Sequence, residues 1–177
     1  MFESHLISSP VSPPDDVMSP ARIFDEGRQL VHADADSQRK DVAMDVIAAG
    51  ARPSLKARED WFTGTVWQDP INEAPAPARV KAIWVTFEPG ARTAWHTHPL
   101  GQTLHVVSGC GLCCVRGGTP QVIRPGDTVW IPPDEEHWHG AGPDTAMKHL
   151  AMQEAKDGRV ADWLDKVTDE DYALPPA

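Results

Sequence analysis

The sequence predicts an all-β protein, folded as an antiparallel sandwich or barrel. Short segments rich in β-branched and aromatic residues alternate with glycine- and proline-containing turns, and no long helical pattern separates them. The joins, such as residues 69–70, 88–90 and 124–127, contain the residue types that favour turns. The predicted strands are residues 63–67, 80–87, 104–108, 112–116, 121–123, 128–131 and 147–153.

The N-terminal part of the chain differs from this pattern. Residues 1–43 are rich in proline, serine and charged residues, so we predict a partly disordered N-terminal extension before a single domain at 44–177. Within that extension, residues 23–31 carry apolar side chains along one side and predict a short helix. A strand-like run begins at Met44.

The C-terminal part predicts helix. Apolar residues repeat at helical spacing over residues 159–167, which predicts an amphipathic helix lying on the barrel. Thr168 together with Asp171 resembles a capping box, so a last short helical turn is expected after it.

Composition limits the class of partner. The 177 residues suffice for one domain with a core. The net charge of −10 argues against a nucleic-acid partner, because the phosphate backbone requires basic patches. No stretch approaches the ~20 apolar residues of a membrane span. The N-terminus lacks the basic and apolar regions of a secretory signal, so we expect a cytoplasmic protein.

The three cysteines lie together in the chain. Cys110, Cys113 and Cys114 come shortly after Gly109. A thiolate metal site would need further ligands at CxxC-type spacing. We interpret them as small, partly buried apolar residues on a hairpin.

Histidines and one glutamine form the clearest chemical pattern. His96 and His98 are two residues apart, so in a strand both side chains point to the same face. Residues 99–101 predict a turn that returns Gln102 beside them, and His137 follows a strand-like run, so it can face them from another strand. Three imidazoles and one amide oxygen suit a divalent first-row metal (Mn, Fe, Co, Ni or Zn) with one or two positions open for substrate.

Other residues near this pattern are candidates for substrate binding. The hydroxyl of Thr93 is a candidate hydrogen-bond partner for substrate or for a ligand imidazole. Ile83 and Val85 share one face of a predicted strand, where they line an apolar pocket or pack in the core. His139 is interpreted as a residue behind the metal ligands or at the rim of the site. His105 is expected to face outward or towards a subunit interface.

The spacing of these residues resembles the two motifs of the cupin family. Residues 90–109 follow Gly-x5-His-x-His-x3-Gln-x6-Gly, and residues 126–137 follow Gly-x5-Pro-x4-His. The resemblance implies a small double-stranded β-helix, or jelly-roll, barrel. Three positions depart from the usual motif. Gln102 stands where Glu is usual, Asp134 where Gly is usual, and Ala141 where Asn is usual.

A closer resemblance lies within that family. Residues 61–66, 87–102 and 137–140 are similar to small bacterial manganese-dependent cupins with (R)-selective hydroxynitrile lyase activity. This resemblance runs from about residue 45 to residue 172 and includes Gln102 as a ligand. It implies Mn(II) as the metal, with Fe, Ni, Co or Zn as alternatives, and an aldehyde or cyanohydrin as the small-molecule substrate.

The resemblance also suggests an acid–base residue. Strand alternation gives His149 and Gln153 the same face, and by similarity to the lyases that face looks into the barrel. His149 is then the candidate general base and Gln153 a polar residue of the pocket. The alternative for His149 is a solvent-exposed histidine at the rim.

Two other functions are compatible with the same residues. One is a cupin dioxygenase, which needs redox-active iron and room for dioxygen. The other is a non-catalytic cupin that binds a small metabolite. In each case we expect a homo-oligomer, a dimer or tetramer, because such barrels usually pair their edge strands with another copy.

Overall fold

The computed structural model describes residues 44–173, which form two curled β-sheets with one short helix. The elements are β1 (Leu55–Lys56), β2 (Phe62–Thr63), β3 (Val66–Glu73), β4 (Val80–Phe87), β5 (Arg92–Thr93), β6 (His96–Thr97), β7 (Gln102–Gly109), β8 (Gly111–Val115), β9 (Gln121–Ile123), β10 (Thr128–Ile131), β11 (His137–Ala141), β12 (Met147–Glu154), β13 (Asp162–Trp163) and α1 (Asp169–Tyr172). The six-stranded sheet has the order β1-β3-β4-β12-β7-β10, and the seven-stranded sheet contains β13-β6-β11-β5-β2, with β8 paired to β11 and to β9.

The all-β prediction is confirmed, and most predicted strands are found within two residues of their bounds. The extension at 1–43 and its helix at 23–31 lie outside the described residues. The strand-like interpretation of the run at Met44 is wrong, because residues 44–54 contain no strand. Within residues 44–173, no helix is long and apolar enough to cross a membrane.

Strand alternation directs one face of each central strand into the barrel. In β4, Val85 and Phe87 are buried, and in β12 His149 and Ala151 are buried. Direct pairing of His149 with Val85 aligns the two strands so that these side chains share the interior. The same face therefore provides both the apolar core and the polar side chains of the site.

Strand β3 continues through a predicted turn. The Asp69-Pro70 pair was interpreted as a join, but β3 runs past it to Glu73. The register of β3 against β4 shifts between Pro70 and Asn72. Proline is tolerated in a strand at such an irregularity, because its missing N–H is not needed there.

The predicted helix at 159–167 is wrong. Residues 156–165, which we name the C-terminal strap, instead make a tight turn bridged between Lys156 and Arg159 and then form β13. The apolar side chains of this region contact different partners, so their spacing does not define one helical face. The short helix that follows is confirmed: Thr168 caps α1, and its side chain accepts a hydrogen bond from the Asp171 N–H.

Candidate metal centre and active-site cavity

The four predicted metal ligands meet inside the barrel. His96 starts β6 and pairs with His137 at the start of β11, while Gln102 begins β7 and His98 precedes the turn between β6 and β7. All four side chains are at least 96% buried. The ring centroids of His96 and His137 are 4.2 Å apart, those of His96 and His98 are 5.1 Å apart, and those of His98 and His137 are 5.7 Å apart.

Backbone carbonyls fix the orientation of the three imidazoles. Each ring donates its Nδ1–H to a carbonyl oxygen, which leaves Nε2 without a hydrogen and free to bind a cation. This arrangement is typical of histidines that bind metals. The acceptors are Ala94 for His96 at 3.0 Å, Val160 for His98 at 2.8 Å and Glu135 for His137 at 2.8 Å.

Gln102 is oriented by a second glutamine. Its Nε2 donates to Gln153 Oε1 at 3.2 Å, so Oε1 of Gln102 points at His137 Nε2, also at 3.2 Å. Because His137 Nδ1 carries the hydrogen, both atoms of this second contact are acceptors. Two facing lone pairs repel unless a positive charge is shared between them. The residues therefore fit a divalent cation at this position.

A second grouping of ring nitrogens includes His139. Each of His96, His137 and His139 has a ring nitrogen within 4.8 Å of a ring nitrogen of the other two, so these three residues could also hold an ion. His139, however, contacts another histidine through Nδ1 and not a carbonyl. The carbonyl-anchored set of His96, His98 and His137 therefore suits metal binding better, and His139 lies beside it.

Burial keeps the ligand imidazoles neutral. Desolvation lowers the pKa of His96 well below its usual value, and the neighbouring His137 and His98 lower it further. Burial lowers the pKa of His137 to about 4 and also lowers that of His98. Neutral rings present the lone pairs that metal binding requires.

His139 and His149 form a buried pair next to the ligands. His149 Nε2 lies 3.1 Å from His139 Nδ1, and the side chains are 0% and 3% exposed, respectively. His139 Nε2 and His149 Nδ1 have no hydrogen-bond partner among the described residues. Burial lowers the pKa of His149 to about 4 and that of His139 well below its usual value, so both rings are neutral near pH 7. The pair can accept one proton.

A cavity of about 430 Å³ is lined by three of the four proposed ligands, His96, His98 and Gln102. Of the candidate substrate residues, Thr93, Val85, Gln153 and His139 line it. Ile83 packs, partly buried, against the core cluster. The Thr93 hydroxyl accepts a hydrogen bond from the backbone N–H of His139 at 3.2 Å, which places that hydroxyl beside the histidine pair.

Sequence patterns did not identify the aromatic wall of this cavity. Trp61, Phe62 and Trp163 line it, together with four other residues of the C-terminal strap. Trp61 and Trp163 stack with ring centroids 5.1 Å apart and planes 5° apart. The helix predicted over 159–167 placed Trp163 against the outside of the barrel. The position of Trp163 in the cavity wall was therefore not predicted.

The departures from the usual motif keep the local geometry. Asp134 has φ of 61°, a left-handed conformation that Gly adopts freely and Asp tolerates. Its N–H donates to the His98 carbonyl at 2.9 Å, so the two motifs contact each other directly.

Gly101, in the turn between the histidines and Gln102, has φ of +79°, and a Cβ there would lie 2.6 Å from the Trp130 ring. Gly101 is therefore required on both grounds.

The remaining chemical candidates lie apart from the ligands. His105 Nδ1 and the Thr128 hydroxyl form a hydrogen bond on the outer side of the six-stranded sheet. The cysteines are free thiols, and burial raises the pKa of Cys113 to about 11. A thiol with such a raised pKa is a poor nucleophile near neutral pH, in agreement with the packing role expected for Cys110, Cys113 and Cys114.

Comparisons with known proteins agree with this geometry. The cupin domain model matches residues 83–152. An (R)-mandelonitrile lyase from Granulicella tundricola is 58% identical over 129 residues, which cover 73% of this chain and 98% of that protein. The matched length therefore includes nearly all of that lyase.

Solved structures share the fold. A cupin-like protein from Thermotoga maritima superposes with a TM-score of 0.64 at 38% identity, covering 73% of this chain and 95% of that one. A polyketide cyclase from Streptomyces resistomycificus superposes with a TM-score of 0.59 at 17% identity, covering 73% and 91% of the two chains. At that identity the likeness to the cyclase concerns the fold alone.

Proposed function

This chain belongs to the cupin family, and we propose that it is a metal-dependent hydroxynitrile lyase that cleaves and forms (R)-cyanohydrins of aldehydes. The observation that carries the proposal is the 58% identity to an (R)-mandelonitrile lyase over 98% of that protein. Convergence of His96, His98, Gln102 and His137 beside a cavity supports it. Carbon–carbon bond cleavage is thus the reaction type that we assign to this enzyme.

The metal that we propose is Mn(II). A set of three imidazoles with one neutral amide oxygen suits Mn(II) as well as Fe(II), and Ni, Co or Zn remain alternatives to be separated by elemental analysis. When bound, a divalent cation supplies positive charge that stabilises negative charge developing on the substrate oxygen and on the departing cyanide. His96, His98, Gln102 and His137 are the residues that would hold it.

The chain itself provides the proton transfer. In the tautomer that we propose, His139 carries its hydrogen on Nδ1 and donates it to His149 Nε2, 3.1 Å away. The cyanohydrin hydroxyl gives its proton to His139 Nε2 while the Nδ1 hydrogen passes to His149. As the bond between the carbinol carbon and the nitrile carbon breaks, its electron pair leaves with cyanide. The stored proton then returns to cyanide, and the products are the aldehyde and hydrogen cyanide.

The cavity wall favours an aryl or alkyl substituent on the substrate. Val85, Phe62, Trp61 and Trp163 give one side of the cavity an apolar and aromatic surface. Thr93 contributes a hydroxyl next to the histidine pair, where it can orient the substrate oxygen. The cyanohydrin of an aromatic aldehyde fits this cavity, because its ring suits the apolar surface and its oxygen suits the Thr93 hydroxyl.

The test combines metal analysis with an assay of mandelonitrile cleavage. Purified protein loaded with Mn(II) should release benzaldehyde from (R)-mandelonitrile faster than from the (S)-enantiomer, and metal-free protein should be inactive. Absence of benzaldehyde release from metal-loaded protein would refute the lyase assignment. Oxygen consumption by iron-loaded protein with a candidate substrate would instead support a dioxygenase.

We further propose that the protein is a homo-oligomer in which the outer face of the six-stranded sheet meets a second copy. On this face Trp84 lies opposite Leu150, and Met152 and Trp130 both lie opposite Thr103. Trp130 is 60% exposed. These adjoining positions form an apolar patch beside Lys148, whose Nζ lies 5.4 Å from the centroid of the Trp84 ring, and an exposed apolar patch is typical of a surface that meets a partner. Light scattering of a Trp130→Lys variant that remains folded should show a smaller species, and an unchanged mass would contradict this interface.

The location and the domain boundary are also proposals. A small-molecule substrate and the acidic composition support a cytoplasmic enzyme without a nucleic-acid partner. The relative from Granulicella tundricola is covered by a match of 129 residues, which supports a single enzymatic domain at 44–177 preceded by an extension.

A further inference from the structure

The C-terminal strap runs alongside β6, which bears the proposed ligand His96 and is followed directly by His98. Its β13 pairs with β6, with Trp163 opposite His96 and Asp162 opposite Thr97. Flanking backbone hydrogen bonds join the strap to Trp95, since Leu164 N–H donates to the Trp95 carbonyl at 2.8 Å. The matched cupin domain ends at residue 152, so this support for the ligands comes from beyond it.

The side chain of Trp163 contacts the ligand directly. Its indole stacks on the His96 imidazole with centroids 4.7 Å apart and planes 23° apart. The same indole stacks on Trp61 with ring centroids 5.1 Å apart, and the Arg58 guanidinium lies 4.5 Å from the centroid of Trp61. His96, Trp163 and Trp61 thus form a continuous column of aromatic rings, which we name the aromatic column.

The aromatic column leaves the His96 ring little freedom to rotate. The Nδ1–H is held by the Ala94 carbonyl, and one face of the ring is covered by Trp163. The strap also fixes the second ligand, because His98 Nδ1 donates to the Val160 carbonyl at 2.8 Å. His96 and His98 are therefore both oriented by residues that are not ligands themselves.

We infer that Trp163 is a positioning residue that sets the metal affinity of the centre through His96, and that Trp61 acts through Trp163. The inference rests on the metal site of the proposed function but is independent of the reaction that the site performs. Stacking restricts the ring before metal binds, so less conformational freedom is lost on binding. Loss of the stack should therefore weaken metal binding even when the cavity can still accept substrate.

The experiment measures Mn(II) affinity by competition with a chelator, on full-length protein. Trp163→Leu removes the aromatic ring but keeps an apolar side chain, and we expect affinity to fall about 10–100-fold, the usual effect of losing a residue that orients a ligand. Trp163→Phe keeps a stacking ring and should restore most of the affinity. Trp67→Leu, at an exposed tryptophan of β3, is the matched control and should leave affinity unchanged.

A double-mutant comparison tests the role of Trp61. Trp61→Leu alone should weaken Mn(II) binding less than Trp163→Leu, because Trp61 contacts His96 only through Trp163. Adding Trp61→Leu to Trp163→Leu should have no further effect on affinity, which is the non-additivity expected of coupled residues. Circular dichroism and thermal unfolding of the metal-free variants establish that each is folded.

Several outcomes separate this inference from the proposed function. Equal Mn(II) affinity in the wild type and in folded Trp163→Leu would overturn the inference, and a raised KM with unchanged metal affinity would assign Trp163 to the cavity wall alone. If the wild type binds Mn(II) but releases no benzaldehyde, the lyase assignment fails while the affinity series still tests the inference. A wild type that binds no divalent metal would refute both.

Discussion

Gln153 Oε1 accepts a hydrogen bond from Gln102 Nε2 at 3.2 Å, and this contact turns Gln102 Oε1 towards His137. Gln102 is therefore presented as an oxygen ligand by a residue 51 positions later in the sequence. Because β12 and β7 pair with Gln153 opposite Gln102, the register of the sheet makes the contact. An amide can present either nitrogen or oxygen, so this partner determines which one faces the site.

Loss of the Gln153 acceptor should weaken metal binding. In Gln153→Leu the Gln102 amide loses the partner that fixes its orientation, so we expect Mn(II) affinity to fall about 10–100-fold. Chelator competition measures the change. Gln121→Leu, at an exposed glutamine of β9, is the control. Equal affinity in wild type and Gln153→Leu would show that Gln102 orients itself without this bond.

His149→Ala should retain the metal but lose turnover. His149 is 0% exposed and contacts His139 but none of the four proposed ligands, so metal content should remain near that of the wild type. Loss of the proton acceptor should lower kcat for mandelonitrile cleavage by ~10²–10⁴-fold, the usual scale of general acid–base catalysis. His105→Ala, on the outer side of the sheet, should change neither quantity. A fully active His149→Ala protein with metal bound would show that His139 does not pass a proton to His149 during the reaction.

Metal removal should lower the thermal stability of the protein. An ion that binds only the folded state stabilises it by about 2.7 kcal/mol when its concentration is 100 times Kd. The midpoint of thermal unfolding of the wild type should therefore rise as Mn(II) is added, whereas that of His96→Ala should stay nearly constant. A parallel rise in both proteins would indicate that the ion binds elsewhere.

The metal-free protein should lose stability in acid between pH 6.5 and about 4. Burial lowers the pKa of both His149 and His137 to about 4 from an ordinary value of 6.5. In this window the unfolded chain binds these protons and the folded chain does not, so the free energy of unfolding falls as the pH is lowered. Each such histidine contributes a slope of about 1.4 kcal/mol per pH unit.

Urea unfolding at several pH values measures this slope. His149→Asn removes one of the titrating groups, so its free energy of unfolding should depend less steeply on pH, by about one proton. An identical slope in the two proteins would mean that His149 is protonated in the folded state over this range.

Deletion of residues 1–43 should leave the domain intact. The segment is rich in proline and serine, and we expect it to bury little of the barrel. Metal content and the midpoint of thermal unfolding should be nearly unchanged in the shortened protein. A large fall in either would show that the extension packs on the domain or covers a subunit contact.

Three of the four proposed ligands could be predicted from the sequence because their spacing is local. The i, i+2 spacing of His96 and His98 sends both side chains to the same side of an extended segment, although only His96 lies in β6 and His98 follows it directly. The turn at 99–101 then returns Gln102 to the same region, and Gly101 carries the positive φ that this turn requires. His137 was harder to assign, and its position depended on resemblance to known motif spacing as well as on the strand before it.

At the C-terminal strap, the spacing of apolar residues predicted the wrong secondary structure. Residues 159–167 have the spacing of an amphipathic helix, yet Trp163 lies in a two-residue strand between the His96 and Trp61 rings. Contacts with residues far away in the sequence outweighed the weak intrinsic preference of a short segment for helix.

The sequence by itself determined the fold class, the ligands His96, His98 and Gln102 and the short capped helix, since each is visible in patterns within short segments, and His137 followed from the family spacing. Only the tertiary structure decided that Gln153 orients Gln102, that His139 faces the cavity in front of His149, and that the C-terminal strap supports His96 and His98. These relationships join strands far apart in the chain. They follow from sheet register and from packing between the two sheets, which no local periodicity encodes.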